Sequence, residues 1–202
     1  VIIDYPGKPG FWFENPKNRA GAWKKHIIAN GMGISNESPG FVDMDGDGRL
    51  DILCGDVDKN QIVWLQAPTN PGDTHWKRFP ISAENVPGTE RFSHGIGLGD
   101  VDNDGLEDVL IAEGWFKGKA DKTEGNWEFH PTSLSEPCSH MQVLDVNNDG
   151  KNDVVTASAH ALGIWWHEQV DPKNFNTHLI SNTTSQTHAT IMADLNGDGK
   201  KE

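Results

Sequence analysis

The sequence predicts an all-β fold of repeated, four-stranded antiparallel units, and three observations carry that prediction. An acidic nine-residue stretch occurs four times, short apolar runs of strand length flank its copies, and no stretch keeps a helical period. Units of about 45–50 residues with four strands have the size of β-propeller blades. The chain therefore reads as a single β-propeller domain over 1–202, with about four blades and with its first and last repeats incomplete. Two arrangements fit that reading: a closed four-bladed ring, or part of a ring of about six to eight blades.

The acidic stretch is "DMDGDGRLD" from Asp43, "DVDNDGLED" from Asp100, "DVNNDGKND" from Asp145 and "DLNGDGKKE" from Asp194, with the shared template D-x-[DN]-x-D-G-x-x-[DE]. Carboxylates this close repel one another, so the pattern implies a cation among them. Oxygen donors at positions 1, 3, 5 and 9, with a backbone carbonyl near position 7, can wrap a hard ion, and glycine at position 6 permits the sharp turn. Ca²⁺ accepts about six to eight oxygens in irregular geometry, whereas Mg²⁺ demands a strict octahedron. An EF-hand opens in the same way but needs Glu at position 12 and flanking helices. Here position 12 is Cys54, Ile111 or Thr156 and the flanks read as strands, so an EF-hand is excluded.

The four strands of a repeat follow in order. A short apolar segment precedes the loop ("HGIGLGD", "SHMQVLD") and a second follows it ("LDILCGD", "EDVLIAEG", "NDVVTASA"). An aromatic third segment comes next ("GFWFENP", "QIVWLQAP", "GIWWHEQ"), then a mixed fourth ("WKKHIIA", "HWKRFPIS", "NWEFHPTS", "FNTHLIS"). Gly, Pro, Asn and Asp between them supply the turns.

These loops and their flanks resemble FG-GAP/VCBS repeats, the calcium-loop blades of integrin α-subunit heads and of many secreted bacterial proteins. The resemblance covers nearly the whole chain and is closest to large bacterial, planctomycete-type FG-GAP-like proteins, through "NESP" at 36–39 and "ASAHALGIWWHEQ" at 157–169. It implies a β-propeller with calcium, three or four ions per chain, in the loop between the first two strands of each blade. The ligands implied are Asp43, Asp45, Asp47, the Arg49 backbone carbonyl and Asp51, then Asp100, Asp102, Asp104 and Asp108. Asp145, Asn147, Asp149 and Asp153 would serve in the third loop, and Asp194, Asn196, Asp198 and Glu202 in the fourth, where a longer acid departs from the pattern. Four calcium ions would bring the net charge from −13 to about −5, so the acidity is largely internal. The loops then act as structural support for a core that short strands supply poorly.

Composition narrows the partners. A net charge of −13 repels nucleic acid and anionic membranes, and no run approaches the ~18 apolar residues of a membrane span. The start shows no basic, apolar signal segment, so any targeting peptide is expected to have been removed. Cys54 and Cys138 lack metal-ligand spacing and are expected as free buried thiols. There is no Walker loop, HExxH, GxSxG or CxxC, and "GIGLG" at 95–99 runs into an acidic loop where a dinucleotide site needs a helix.

The histidines sort by repeat position. His26, His130 and His178 share one place in the fourth strand, where another repeat has Arg78 or Phe79, and read as edge residues. His94, His140 and His188 follow Ser or Thr and precede a loop by five or six residues, at the start of the innermost strand. Equivalent positions in successive blades converge on the channel mouth, with Glu37, Glu90 and Glu136 nearby and His160 within reach. Such imidazoles can hold a transition metal or act as a base on a sugar-like substrate, so His94, His140 and His188 are the candidate catalytic residues. The plainer reading is a repeated hydrogen bond to backbone. Trp12, Trp64, Trp165 and Trp166 read as packing between blades, and Trp115, in "EGWF", as a candidate rim platform for a sugar.

Weak calcium sites fill only at the millimolar calcium found outside the cytosol, which places the protein in the periplasm or outside the cell. The expected function is a non-enzymatic module that binds a protein or glycan. The alternatives are a carbohydrate lyase or dehydratase using the axial histidines, and a subunit of a larger periplasmic complex.

Overall fold

A computed structural model describes residues 5–18, 20–28, 31–70, 73, 75–134 and 138–199. Glu136 and Glu202 lie outside the described residues. Among those described there are fourteen strands and no helix, so the all-β expectation holds. The chain divides into two compact units, one of Val1–Ser93 with Asp121–Trp127 and one of His94–Ala120 with Glu128–Glu202.

The first unit opens with the antiparallel hairpin β1 (Phe11–Glu14) and β2 (Lys24–Ile27). A complete blade follows, made of β3 (Gly40–Val42), β4 (Asp51–Asp56), β5 (Gln61–Gln66) and β6 (Lys77–Pro80), each antiparallel to the next. β4 is buried along its whole length and β5 along nearly all of it, which explains their unbroken apolar runs in place of alternation. Ile28, Ile34, Ile52, Cys54, Val63 and Leu65 form the core, with Trp12 and Trp76 packed against it. A fully buried Ile or Leu there contributes about 1.5–3 kcal/mol.

The second unit holds two blades. One is β7 (Ile96–Gly99), β8 (Asp108–Ile111), β9 (Gly114–Phe116) and β10 (Phe129–Pro131). The other is β11 (His140–Leu144), β12 (Asp153–Ala157), β13 (Leu162–Asp171) and β14 (Asn174–Ser185). Their innermost strands pair in parallel, His140 beside Ile96 and Met141 beside Gly97, giving one eight-stranded sheet in the order β10-β9-β8-β7-β11-β12-β13-β14. A Cβ on Gly97 would lie 2.8 Å from that of Met141, and one on Gly99 would lie 2.4 Å from that of Val143, so glycine sets this approach. Val101, Leu110, Trp115, Leu134, Met141 and Val154 fill the core beneath. Both cysteines are free and buried, as expected.

The tryptophans do something the sequence reading missed. Trp12 stacks on His26 at 4.3 Å, Trp115 on His130 at 4.2 Å and Trp166 on His178 at 4.6 Å. Trp64 meets Phe79 in the same way at 4.7 Å. Each is a directly opposed pair on the third and fourth strands of one repeat, so packing within a repeat, not only between blades, explains the period. The β1–β2 hairpin carries the same pair as the outer halves of the three blades. Trp115 is not a rim platform: it is 1% exposed, and its indole N–H donates to the Pro172 carbonyl at 2.9 Å.

His167 also escaped the sequence. It opposes Val154 in the register where Leu65 opposes Ile52 and Phe116 opposes Val109, so an imidazole occupies an apolar core position. The Thr156 and Thr177 hydroxyls hold its two nitrogens at 3.0 Å each. Burial lowers its pKa to about 4. The unfolded chain protonates this residue near 6.5, so its stabilising effect is complete above about pH 6.5. That effect is lost as the pH falls toward 4, by roughly 3 kcal/mol in all. Thermal melts between about pH 7 and 4.5 are expected to fall more steeply for the wild type than for His167→Gln. Parallel curves would show that this imidazole does not govern the acid limb.

Candidate functional site

The four acidic loops fold alike over their first six positions. The first aspartate accepts the backbone N–H groups of positions 5 and 6: Asp43 from Asp47 and Gly48 (3.0 and 2.8 Å), and Asp100 from Asp104 and Gly105 (3.0 and 2.9 Å). Asp145 does so from Asp149 and Gly150 (3.1 and 2.9 Å), and Asp194 from Asp198 and Gly199 (3.1 and 2.8 Å). Position 5 turns back on position 7, Asp47 to Arg49, Asp104 to Leu106 and Asp149 to Lys151, each at 2.9 Å. Positions 4 and 6 both have positive φ in every loop, for example 59° at Asn103 and 88° at Gly105. Position 4 is accordingly Gly or Asn in all four copies, a restriction that the template left as x.

The ninth residue is the buried anchor. Asp51, Asp108 and Asp153 are at most 1% exposed. Each accepts the N–H of position 2 and the N–H of a residue just past, or late in, the third strand. Asp51 takes Met44 and Ala67 (3.2 and 2.7 Å), Asp108 takes Val101 and Gly118 (2.7 Å each), and Asp153 takes Val146 and Gln169 (3.1 and 2.8 Å). The Trp64 indole adds a third donor to Asp51 at 2.8 Å. Burial raises the pKa of Asp51 and lifts that of Asp108 to about 6, and in each case a nearby acid, Asp45 or Asp102, adds to the rise. A cation would relieve both penalties.

Carboxylate oxygens of Asp43, Asp45 and Asp51 lie within 4.8 Å of one another, and so do those of Asp100, Asp102 and Asp108. An all-oxygen donor set suits a hard cation such as Ca²⁺. In the second loop one buried oxygen of Asp102, Oδ1, has no hydrogen-bond partner. Three of the sequence-derived ligands are thus gathered in each of these two loops, and the third and fourth share the backbone frame of their first six positions.

A single third-strand position distinguishes the loops. Gln66 donates to Asp45 at 2.5 Å, the Lys117 ammonium bridges Asp102 and Asp104, and Glu168 accepts from Asn147 at 3.3 Å. Hydrogen bonds from Lys117 hold the Asp104 pKa below the ordinary carboxylate range. Where position 3 loses its acid, at Asn147, the third strand supplies one, Glu168. Where the third strand supplies a cation, any bound ion has to displace it.

The sequence grouped His94, His140 and His188. The structure gathers His94 and His188 with His160, at ring-centroid separations of 4.6 Å (94–160), 5.7 Å (94–188) and 5.1 Å (160–188). His140 opens β11 and is not one of the three; its carbonyl accepts the Thr190 hydroxyl at 2.8 Å.

Blades built on this loop define a class, and comparison with known sequences agrees. A family model described as FG-GAP-like repeat matches residues 43–111 and 145–202. The chain belongs to the FG-GAP-like repeat family. It is also 27% identical over 124 residues to the KICSTOR complex protein ITFG2 of Bos taurus, covering 55% of this chain and 23% of that protein. The chain thus spans about a quarter of that relative's length.

Replacing Lys117 tests the electrostatics of the second loop. Lys117→Met is expected to melt about 2–4 °C lower than the wild type in calcium-free buffer. Millimolar calcium is expected to raise the variant's Tm by more than the wild type's. Equal calcium shifts would mean that the ammonium does not compete for the loop.

Proposed function

We propose that the chain is a calcium-stabilised, non-enzymatic interaction module that engages a partner protein, as part of a larger assembly. Family membership and the name of the ITFG2 relative, a complex protein, support this reading. The observation that carries it is β14. This strand runs for twelve residues at the edge of its sheet, pairs only with β13 among the described residues, and exposes Leu179 and Ile180, each 57% accessible. A long open edge presents unpaired N–H and C=O groups, and an extended segment of a partner can add to it as a further strand.

Calcium belongs to this proposal as internal support. Asp43, Asp45 and Asp51, with Asp47 beside them, would hold one ion, and the third loop reaches the same four carboxylates once Glu168 joins it, whereas the four of the second loop are partly met by Lys117. Sites of this kind fill at millimolar calcium, which favours a periplasmic or extracellular location. No helix among the described residues is long and apolar enough to cross a membrane. A glycan remains a second class of ligand for the same exposed surface.

The decisive experiment compares the wild type with Leu179→Glu/Ile180→Glu in affinity capture from the native source. One partner is expected at constant stoichiometry with the wild type, lost from the double variant and regained on reversion. Equal capture by both proteins removes β14 from the interface. Chelation of calcium is expected to lower the Tm of both proteins alike, and an unchanged Tm would remove calcium from the account.

A further inference from the structure

We infer that His94, His160 and His188 form a site for a late first-row divalent metal ion such as Zn²⁺, distinct in chemistry from the acidic loops. All three residues belong to the second unit. Each offers a ring nitrogen within 4.8 Å of the others. Around a tetrahedral ion with bonds of about 2.0–2.1 Å, imidazole nitrogens sit about 3.3 Å apart and ring centroids about 5 Å apart. The observed centroid separations of 4.6, 5.7 and 5.1 Å bracket that value. His94 is buried and anchors the group, while His160 and His188 are exposed and can close the remaining gap by side-chain rotation.

Neighbouring backbone fixes the segments that carry the three histidines. Ser158 organises two of them: its N–H donates to Gly163 O at 2.9 Å, its hydroxyl accepts Ala161 N–H at 2.8 Å, and its carbonyl accepts Thr187 N–H at 3.0 Å. These bonds close the turn that carries His160 and fix the segment that carries His188. Cys138 bridges to Ser158, and it also packs against Gly95, next to His94. Gly95 has φ +83°, and a Cβ there would lie 2.9 Å from the Cys138 sulfur, so only glycine lets the chain turn at this point.

At His188, Nδ1 lies 3.1 Å from the Gln186 carbonyl, which can only accept, so in the neutral ring Nδ1 carries the proton and Nε2 is the metal-binding nitrogen. An imidazole that donates one N–H to a backbone carbonyl while its other nitrogen binds metal is the usual arrangement of ligating histidines. Gln186 itself has φ +55°, a strained value for a non-glycine residue, and in this conformation its carbonyl meets His188. Imidazoles favour Zn²⁺, Ni²⁺ and Cu²⁺ over Ca²⁺, which takes oxygen donors.

The test uses tag-free protein, stripped by chelator and returned to buffer containing millimolar calcium. Zinc titration is expected to give about one tightly bound ion per chain. His160→Ala and His188→Ala are each expected to lose about 100-fold or more in zinc affinity, whereas His140→Ala and His75→Ala keep it. Cobalt substitution is expected to give the visible absorption of a tetrahedral nitrogen-ligated ion, absent from the same two variants. Both altered residues are exposed, and unchanged tryptophan fluorescence and calcium content would confirm that the variants fold. Failure of the wild type to hold zinc, or equal retention by both variants, overturns the inference.

Discussion

The acidic blades depend on one interaction: a buried aspartate whose two oxygens bind the chain at two points. Asp51, Asp108 and Asp153 each tie the entrance of their loop to the end of the third strand, across the second strand of their blade. A buried carboxylate is costly unless its lone pairs are met, and backbone N–H groups meet them here. The loop, the hairpin that follows it and the strand beyond are thereby fixed as one unit. Side-chain amides extend the same logic between neighbouring loops of the second unit. Asn103 bonds Gly150 at 2.9 Å, Asn152 bonds Asp100 at 2.6 Å, and Gln169 bonds Val101 and Asn152 at 2.7 Å each.

Two donor sets of different chemistry are kept apart in this molecule. The loops present carboxylate oxygens on a backbone that already satisfies much of their hydrogen bonding, an environment for a weakly held hard ion. The imidazole cluster presents nitrogens held by turns and by one strained residue, an environment for a softer ion. Neither set of donors suits the other's ion well, so the two proposed sites would not compete for one metal.

Much of the fold was legible because its signals are local. Strand length, turn residues and the loop template all lie within about 50 residues, the span over which repetition can be read by eye. The placement of His94 and His188 followed from the repeat phase as well. The partners that lie across strands were not legible. His160 was within reach on the sequence, but its place in the cluster, which His140 does not share, depends on the turn after β12 that closes on Ser158, a tertiary fact with no sequence period. His167 looked like one more polar residue in "WWHEQ" and proved to occupy a core site, since Thr156 and Thr177 supply bonds from two other strands. The stacking of Trp12, Trp115 and Trp166 on histidine was readable in principle, because both residues recur in phase, but only if the third and fourth strands are set in register.

The variable third-strand position has a consequence for how such repeats diverge. Gln66, Lys117 and Glu168 touch the third residue of their loops without taking part in the backbone frame that all the loops share. Duplicated blades can therefore drift in ionic character by exchange at this one side chain while their architecture stays constant. A lineage of repeats gains in this way a graded series of loop charges, from the added acid of Glu168 to the ammonium of Lys117, within a single chain.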